Sequence, residues 1–294
     1  MIRGFLGLAH HVTVEALKQP GAQKRDLARC KALFVAGQLG SWMGRYDEAH
    51  TYLEESLAIA RENGARPWVA RVLQPLGFAC LGQGNADAAR QYFEEAVDLA
   101  REVGDKRELA AAINALAQLR RVEGATQTAE SLYKQVLALA RELQDRESTA
   151  IALLNLAMVS IGQGFGAEAK KMLLEVSAIA QEMGSRLLGQ SMLEVSAGLA
   201  VIGENWADAA RLYGAAQAQA EHTGLHRDPI DEAFLAPLIA RARKVLGDTA
   251  FDAAEMASRG IGYEQAIINA CAWLETSSGR DEKSTDASED EAQQ

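Results

Sequence analysis

Small and large apolar positions recur four residues apart along this chain, and the whole pattern repeats every 40 residues. The segments GRYDEAHTYLEESLAIARENG, GNADAARQYFEEAVDLAREVG, GATQTAESLYKQVLALARELQ, GFGAEAKKMLLEVSAIAQEMG and ENWADAARLYGAAQAQAEHTG begin at residues 44, 84, 124, 164 and 204, with no insertion between them. A fixed internal period decides the architecture before any local reading is made. Ala49, Ala89, Ala129, Ala169 and Ala209 form one column, and Leu53, Phe93, Tyr133, Leu173 and Tyr213 form the next. On a helix this spacing puts both on one face, the alanine admitting a neighbouring helix and the large residue filling the gap. A second small column, Gly37, Gly77, Ala117, Ala157 and Ala197, marks the contact of the preceding helix. Each unit therefore reads as two antiparallel helices joined by a short turn around Gly44, Gly84, Gly124 or Gly164.

The predicted helices run 26–43 and 46–63 in the first unit and recur every 40 residues to about 222. The fold class is all-α: a right-handed superhelix, or α-solenoid, of about five helical hairpins over 25–224, closed by capping helices over 225–276. Between units, Asn63-Gly64-Ala65-Arg66-Pro67 and Gly104-Asp105 supply glycine for a left-handed helix end and proline for a first helical position. Gly4 and Ala9 stand 40 residues before Gly44 and Ala49, so 1–24 reads as the remnant of an earlier repeat, with a solenoid expected to continue upstream in a longer parent. Asp228-Pro229 reads as an N-cap and first helical residue opening a helix to about Leu246, with Pro237 as a kink inside it. Asp248 is expected to cap a further short helix, and 262–275 to form the last. From 277 the tail SSGRDEKSTDASEDEAQQ has no large apolar residue to offset its ordering entropy and reads as disordered.

Composition supports the helical reading: 5 prolines and 6% aromatics leave little strand-forming material, while 48% hydrophobic residues suffice for a core. A formal charge of −10 would repel a phosphate backbone, so no direct nucleic-acid partner is expected. Cys30, Cys80 and Cys271 form no close pair and their number is odd, which speaks against a disulfide framework and for a reducing cytoplasm. No run of 18 uncharged apolar residues is present and MIRGFLGLAHHV lacks the apolar core of a signal peptide, so no membrane partner is expected.

The small–large columns and the Gly44-x-Tyr46-x-x-Ala49 start of the second helix resemble tetratricopeptide (TPR) repeats lengthened from about 34 to 40 residues. ARCKALFVAGQLGSWMGRYDEAHTYLEESLAIARENG and the ending WADAARLYGAAQAQAEHTG…ARKVLGDTAFDAAEMASRGIGYEQAIINACAWL further resemble the C-terminal repeat region of large bacterial helix-turn-helix/NTPase transcriptional regulators of the LuxR type. The resemblance implies a sensor that receives an inducer or inhibitory protein and informs an NTPase and helix-turn-helix part encoded upstream. This sequence holds no Gly-x-x-x-x-Gly-Lys-Ser/Thr loop and no basic recognition helix.

In such a stack, function is expected on the concave face lined by the first helix of each pair. By repeat position this face comprises Phe34, Gln38, Ser41, Gln74, Phe78, Asn114, Gln118, Arg121, Leu154, Met158 and Glu194, a mixture suited to a protein, a peptide or a small polar inducer. A clamp for a peptide carboxylate of the chaperone-binding kind needs Lys and Asn on successive first helices. Phe34, Gln74 and Leu154 occupy those places, leaving Asn114 as the suitable residue. Pro75 interrupts a first helix, and a kink on the concave wall would shape a pocket. His222 and His226 have the spacing of a helical metal pair but lack a nearby third ligand, and adjacent His10 and His11 point to different faces. The recurring Glu54-Glu55, Glu94-Glu95, Arg61-Glu62, Arg101-Glu102 and Arg141-Glu142 pairs read as solvated faces. The cysteines read as inert buried residues. With no nucleophile–base, metal or phosphate-loop constellation, the expectation is a binding protein without cofactor or catalysis, either a sensor module or a freestanding scaffold bridging two proteins.

Overall fold

A computed structural model describes residues 2–223, 227 and 229–276. Asp228, Gly224 and His226, and the acidic tail from 277, with the readings attached to them, lie outside these residues. Among the described residues there are fourteen α-helices and no strand. After α1 (Ile2–Lys18) and a single 3-10 turn (Pro20–Ala22), five first helices follow: α2 (Leu27–Trp42), α4 (Arg66–Gly82), α6 (Lys106–Val122), α8 (Arg146–Gln163) and α10 (Arg186–Ile202). They alternate with five second helices, α3 (Tyr46–Glu62), α5 (Ala86–Val103), α7 (Thr126–Glu142), α9 (Gly166–Met183) and α11 (Trp206–Thr223), whose starts are 40 residues apart throughout. The chain then runs through α12 (Pro229–Leu246), α13 (Asp248–Arg259) and α14 (Tyr263–Thr276).

The turns explain the period. Every 20 residues, at 44, 64, 84, 104, 124, 144, 164, 184 and 204, the backbone enters the left-handed region, and seven of those nine positions are glycine. Gln144 and Glu204 take the same conformation with φ of 53° and 58°. Most first helices carry a side-chain cap: Asp26 accepts from the amides of Ala28 and Arg29, Asp105 from Arg107 and Glu108, Asp145 from Ser148, and Ser185 from Leu188. At α4 the equivalent position is Ala65, which makes no side-chain cap, and Pro67 sits in the first turn. Asp248 is the first residue of α13 and not its cap; Gly247, with φ of 86°, holds that place and makes no side-chain bond.

The chain forms two compact units. The first comprises the described residues of 1–152 and 220–233, and the second those of 153–219 and 234–276. In the first unit each helix packs on the next, and α4 also touches both α2 and α6, so these first helices lie side by side in a row. Ala49, Leu53, Ala89, Phe93, Ala129 and Tyr133 are all fully buried there. The small column sits opposite the large one within each hairpin: a Cβ on Gly37 would stand 2.9 Å from Leu53 Cδ2, closer than carbon atoms pack.

In the second unit the final helices settle onto glycine notches. Phe234 of α12 lies against Gly198, Ser258 of α13 against Gly214, and Tyr263 of α14 against Gly189, where a Cβ would come within 2.8 Å of the ring's Cζ. The Tyr263 hydroxyl donates to the Ser185 carbonyl at 3.3 Å, while Arg186 stacks over the Tyr263 ring and pairs with Glu264 at 2.9 Å. Ala169, Leu173, Ala197 and Ala209 are fully buried here, and Tyr213 is half-buried.

Candidate functional site

The row of first helices in the first unit carries a pocket of ≈ 280 Å³ lined by Gln38, Ser41, Trp42, Tyr46, Gln74, Pro75 and Phe78. Gln38, Ser41 and Trp42 come from the last turns of α2, Tyr46 opens α3, and Gln74, Pro75 and Phe78 come from the middle of α4. Helical spacing of three and four residues places the members from each first helix on one face. Four of the sequence-derived residues, Gln38, Ser41, Gln74 and Phe78, are thus gathered in one cavity.

Each wall has a structural reason. Phe78 is held by an edge-on contact with the core residue Phe93, ring centroids 5.2 Å apart. The Tyr46 ring lies over Gly82, where a Cβ would stand 2.5 Å from Cδ2; glycine there is what lets the ring approach α4. Pro75 is buried in the wall and has no amide to give Arg71, so the helix at that point is one internal hydrogen bond short. Trp42 is 49% exposed, a large aromatic surface left in water. Gln38 and Gln74 are half-buried amides on neighbouring helices. The Ser41 hydroxyl is shielded from solvent without a hydrogen-bond partner in the protein. No lining residue is charged, so the pocket combines apolar rings with neutral donors and acceptors.

The other sequence-derived residues take different places. Phe34 turns to Trp68 in an edge-on pair at 5.7 Å, with Lys31 and Arg71 over the indole, so it joins α2 to α4 instead of lining the pocket. Asn114 is half-buried on α6. Gln118 is buried, its amide oxygen without a partner, and Arg121 donates to Asp231 at 3.2 Å. Leu154, Met158 and Glu194 belong to the second unit and are buried at 5%, 6% and 8% exposure, Glu194 accepting from Gln190 at 3.3 Å. Trp42 and Tyr46 are not among the sequence-derived residues: Trp42 is the last residue of α2, four after Gln38 on the same face, and Tyr46 opens α3, where it counts as part of the repeat signature; their size beside that stripe was the available signal.

Burial raises the Cys30 thiol above its ordinary range, and burial followed by the Glu54 charge pushes Cys80 up to about 11, so neither is a thiolate at neutral pH. Cys271 is half-buried, unlike the other two, and lies 3.0 Å from the Ser177 hydroxyl. Among the described residues no group of three His, Cys, Asp or Glu side chains could hold a metal ion, and no helix is long and apolar enough to cross a membrane. The surface pairs Arg25–Glu62, Arg66–Glu102 and Lys106–Glu142 recur with the repeat and close each hairpin's open end.

Comparison with known proteins agrees with the helical-hairpin architecture. Residues 29–102 and 68–142 match the model of the tetratricopeptide repeat, and 125–196 match that of anaphase-promoting complex subunit 5. Among solved structures, BtubC (BKLC) from P. vanneervenii is similar at 18% identity, covering 78% of this chain and 93% of its own, with a TM-score of 0.53. A putative kinesin light chain from Podosopora anserina with nearly identical TPR-like repeats is 21% identical, covering 76% of this chain and 97% of its own, with a TM-score of 0.46. No curated protein sequence matches the chain. Residues 29–142 therefore carry tetratricopeptide repeats, and the chain has an all-α, TPR-like fold of repeated helical hairpins.

Proposed function

We propose that this chain is a non-catalytic interaction module whose first unit binds an extended peptide segment across α2 and α4, seating one uncharged apolar side chain among Trp42, Tyr46 and Phe78. The composition of the pocket carries this reading: aromatic walls, two amides on adjacent helices and no charge. An amide such as Gln38 or Gln74 offers a donor and an acceptor at once, matching the alternating N–H and C=O of an extended backbone. The apolar rings gain from covering an apolar side chain, while a charged one would lose its hydration without a partner. The exposed indole of Trp42 is the kind of residue that dominates binding energy at interfaces.

The wider setting follows from the resemblance of the segment from Trp206 onward to the ending of bacterial transcriptional regulators. In that setting the chain is the cytoplasmic sensor, and occupancy of the pocket by a protein, peptide or small inducer is passed to an NTPase and helix-turn-helix part. A freestanding scaffold bridging two proteins is the alternative, and the reading frame upstream of Met1 separates the two. An NTPase in frame supports the sensor; a stop codon and promoter support the scaffold.

Binding itself is tested by selecting random displayed peptides on the whole chain. Selected peptides should lose about tenfold in affinity, the worth of one hydrogen bond or ring contact, on Gln74→Ala or Trp42→Ala. They should be indifferent to Arg186→Ala in the second unit. Peptides that ignore Gln74 and Trp42 would contradict the proposal.

A further inference from the structure

One polar group in the pocket of α2 and α4 is given no bond by the fold. The Ser41 hydroxyl is shielded from solvent and has no hydrogen-bond partner, although Ser41 lines the cavity. Other shielded serines are provided for. The Ser56 hydroxyl donates to the Cys30 carbonyl at 2.8 Å, that of Ser258 donates to the Glu255 carbonyl at 2.9 Å, and that of Ser177 accepts from the Gln181 amide at 3.2 Å. Nor does helix packing call for a hydroxyl at this point. The equivalent residues of the other first helices are Leu81, Arg121, Ile161 and Val201, three of them apolar, with Ile161 and Val201 buried.

A shielded hydroxyl without a bond counts against the folded state, so its place in the wall of a cavity points to a partner outside the chain. The space beside it admits a ring: ≈ 280 Å³, against roughly 150 Å³ for an apolar cavity that takes up benzene. Three of its walls are the rings of Trp42, Tyr46 and Phe78, which favour an aromatic occupant through edge-on and offset contacts. We propose that the pocket is a seat for a phenol, that of a tyrosine in the bound peptide, whose hydroxyl bonds to Ser41 once the serine turns about its single χ1 angle. This rests on the reading above that the pocket receives one side chain of a peptide, and it names that side chain. A phenol hydroxyl both donates and accepts, so it meets a serine hydroxyl in either sense. Phenylalanine fills the ring space but leaves Ser41 unbonded. An indole N–H only donates, which leaves the serine proton without an acceptor. A carboxylate or an ammonium would enter a pocket whose lining carries no charge to receive it.

The test uses p-cresol and toluene, the bare side chains of tyrosine and phenylalanine. Each is titrated into the full chain carrying 5-fluorotryptophan, and the 19F resonance of Trp42 gives its affinity. p-Cresol should bind at least about fivefold more tightly than toluene, the worth of one hydrogen bond, although toluene is the more hydrophobic of the two. Ser41→Ala should erase that preference without weakening toluene. The same change should not lower the melting temperature, because the hydroxyl it removes makes no bond in the free protein. Ser41→Cys, a weaker donor of similar size, should give an intermediate preference. In a peptide selected on the chain, Tyr→Phe at the anchor should cost about fivefold on wild type and nothing on Ser41→Ala. Toluene binding as tightly as p-cresol, a preference that survives Ser41→Ala, or no saturable response to p-cresol would overturn the inference and leave peptide binding through Trp42 and Gln74 standing. A serine-dependent p-cresol preference beside peptides that ignore those two residues would instead make the occupant a free phenol, and the peptide reading alone would fall.

Discussion

Gly77 of α4 and Phe93 of α5 are matched in size across their hairpin: a Cβ on Gly77 would stand 2.7 Å from Phe93 Cδ1 and closer still to Cε1. The smallest residue thus faces one of the largest, and both are buried. A methyl group added there has to displace an aromatic ring that is itself wedged against Phe78.

Gly77→Ala should accordingly cost about 1–3 kcal/mol, the usual range for overpacking, read as a lower urea midpoint. Gly162→Ala is the internal control, since a Cβ there meets nothing within 4 Å; on helix propensity alone it should be neutral or stabilising by up to about 1 kcal/mol. Combining Gly77→Ala with Phe93→Leu, the residue that the first hairpin uses opposite Gly37, should recover part of the loss, a coupling that a double-mutant cycle measures.

Gln144 and Glu204 carry a Cβ in a backbone region where glycine is otherwise used. Each pays about 1 kcal/mol of strain for it. Gln144→Gly and Glu204→Gly should each raise the denaturation midpoint by up to that amount, the gain being trimmed by glycine's greater freedom in the unfolded chain. Gly124→Ala, placing a side chain at φ of 79°, should do the opposite.

Thiol accessibility separates the three cysteines. Cys30 and Cys80 are buried, with thiols raised by burial, whereas Cys271 is half-buried. In the folded protein at neutral pH, iodoacetamide should alkylate Cys271 first, with Cys30 and Cys80 reacting on the timescale of unfolding. Mass spectrometry of a time course reads the order, and early modification of Cys80 would contradict the packing of α4 on α5.

The hairpins were legible in the sequence because helix packing repeats its demands: a small residue at 37, 77, 117, 157 and 197, and a left-handed turn every 20 residues. The pocket was half legible. Gln38, Ser41, Gln74 and Phe78 share a helix stripe that periodicity identifies, and Pro75 marks itself by breaking helix rules. Tyr46 was not, since the ring lies over Gly82, a glycine in the following hairpin, and Trp42 was passed over at the last residue of α2. Phe34 misleads for the converse reason: it lies on the right stripe but is drawn to Trp68. The Arg121–Asp231 pair had no periodic signal at all, its members being unique in sequence position and 110 residues apart.

Whether the proposed pocket of α2 and α4 receives the partner can be read directly from the chain's four tryptophans. With 5-fluorotryptophan incorporated, 19F spectra report Trp42 in the pocket wall, Trp68 beside Phe34, and Trp206 and Trp273 in the second unit. On titrating a peptide selected for binding, the Trp42 resonance should move most and saturate with the peptide's affinity, while Trp206 and Trp273 stay in place. Saturable shifts at Trp206 or Trp273 with Trp42 unmoved would contradict the account.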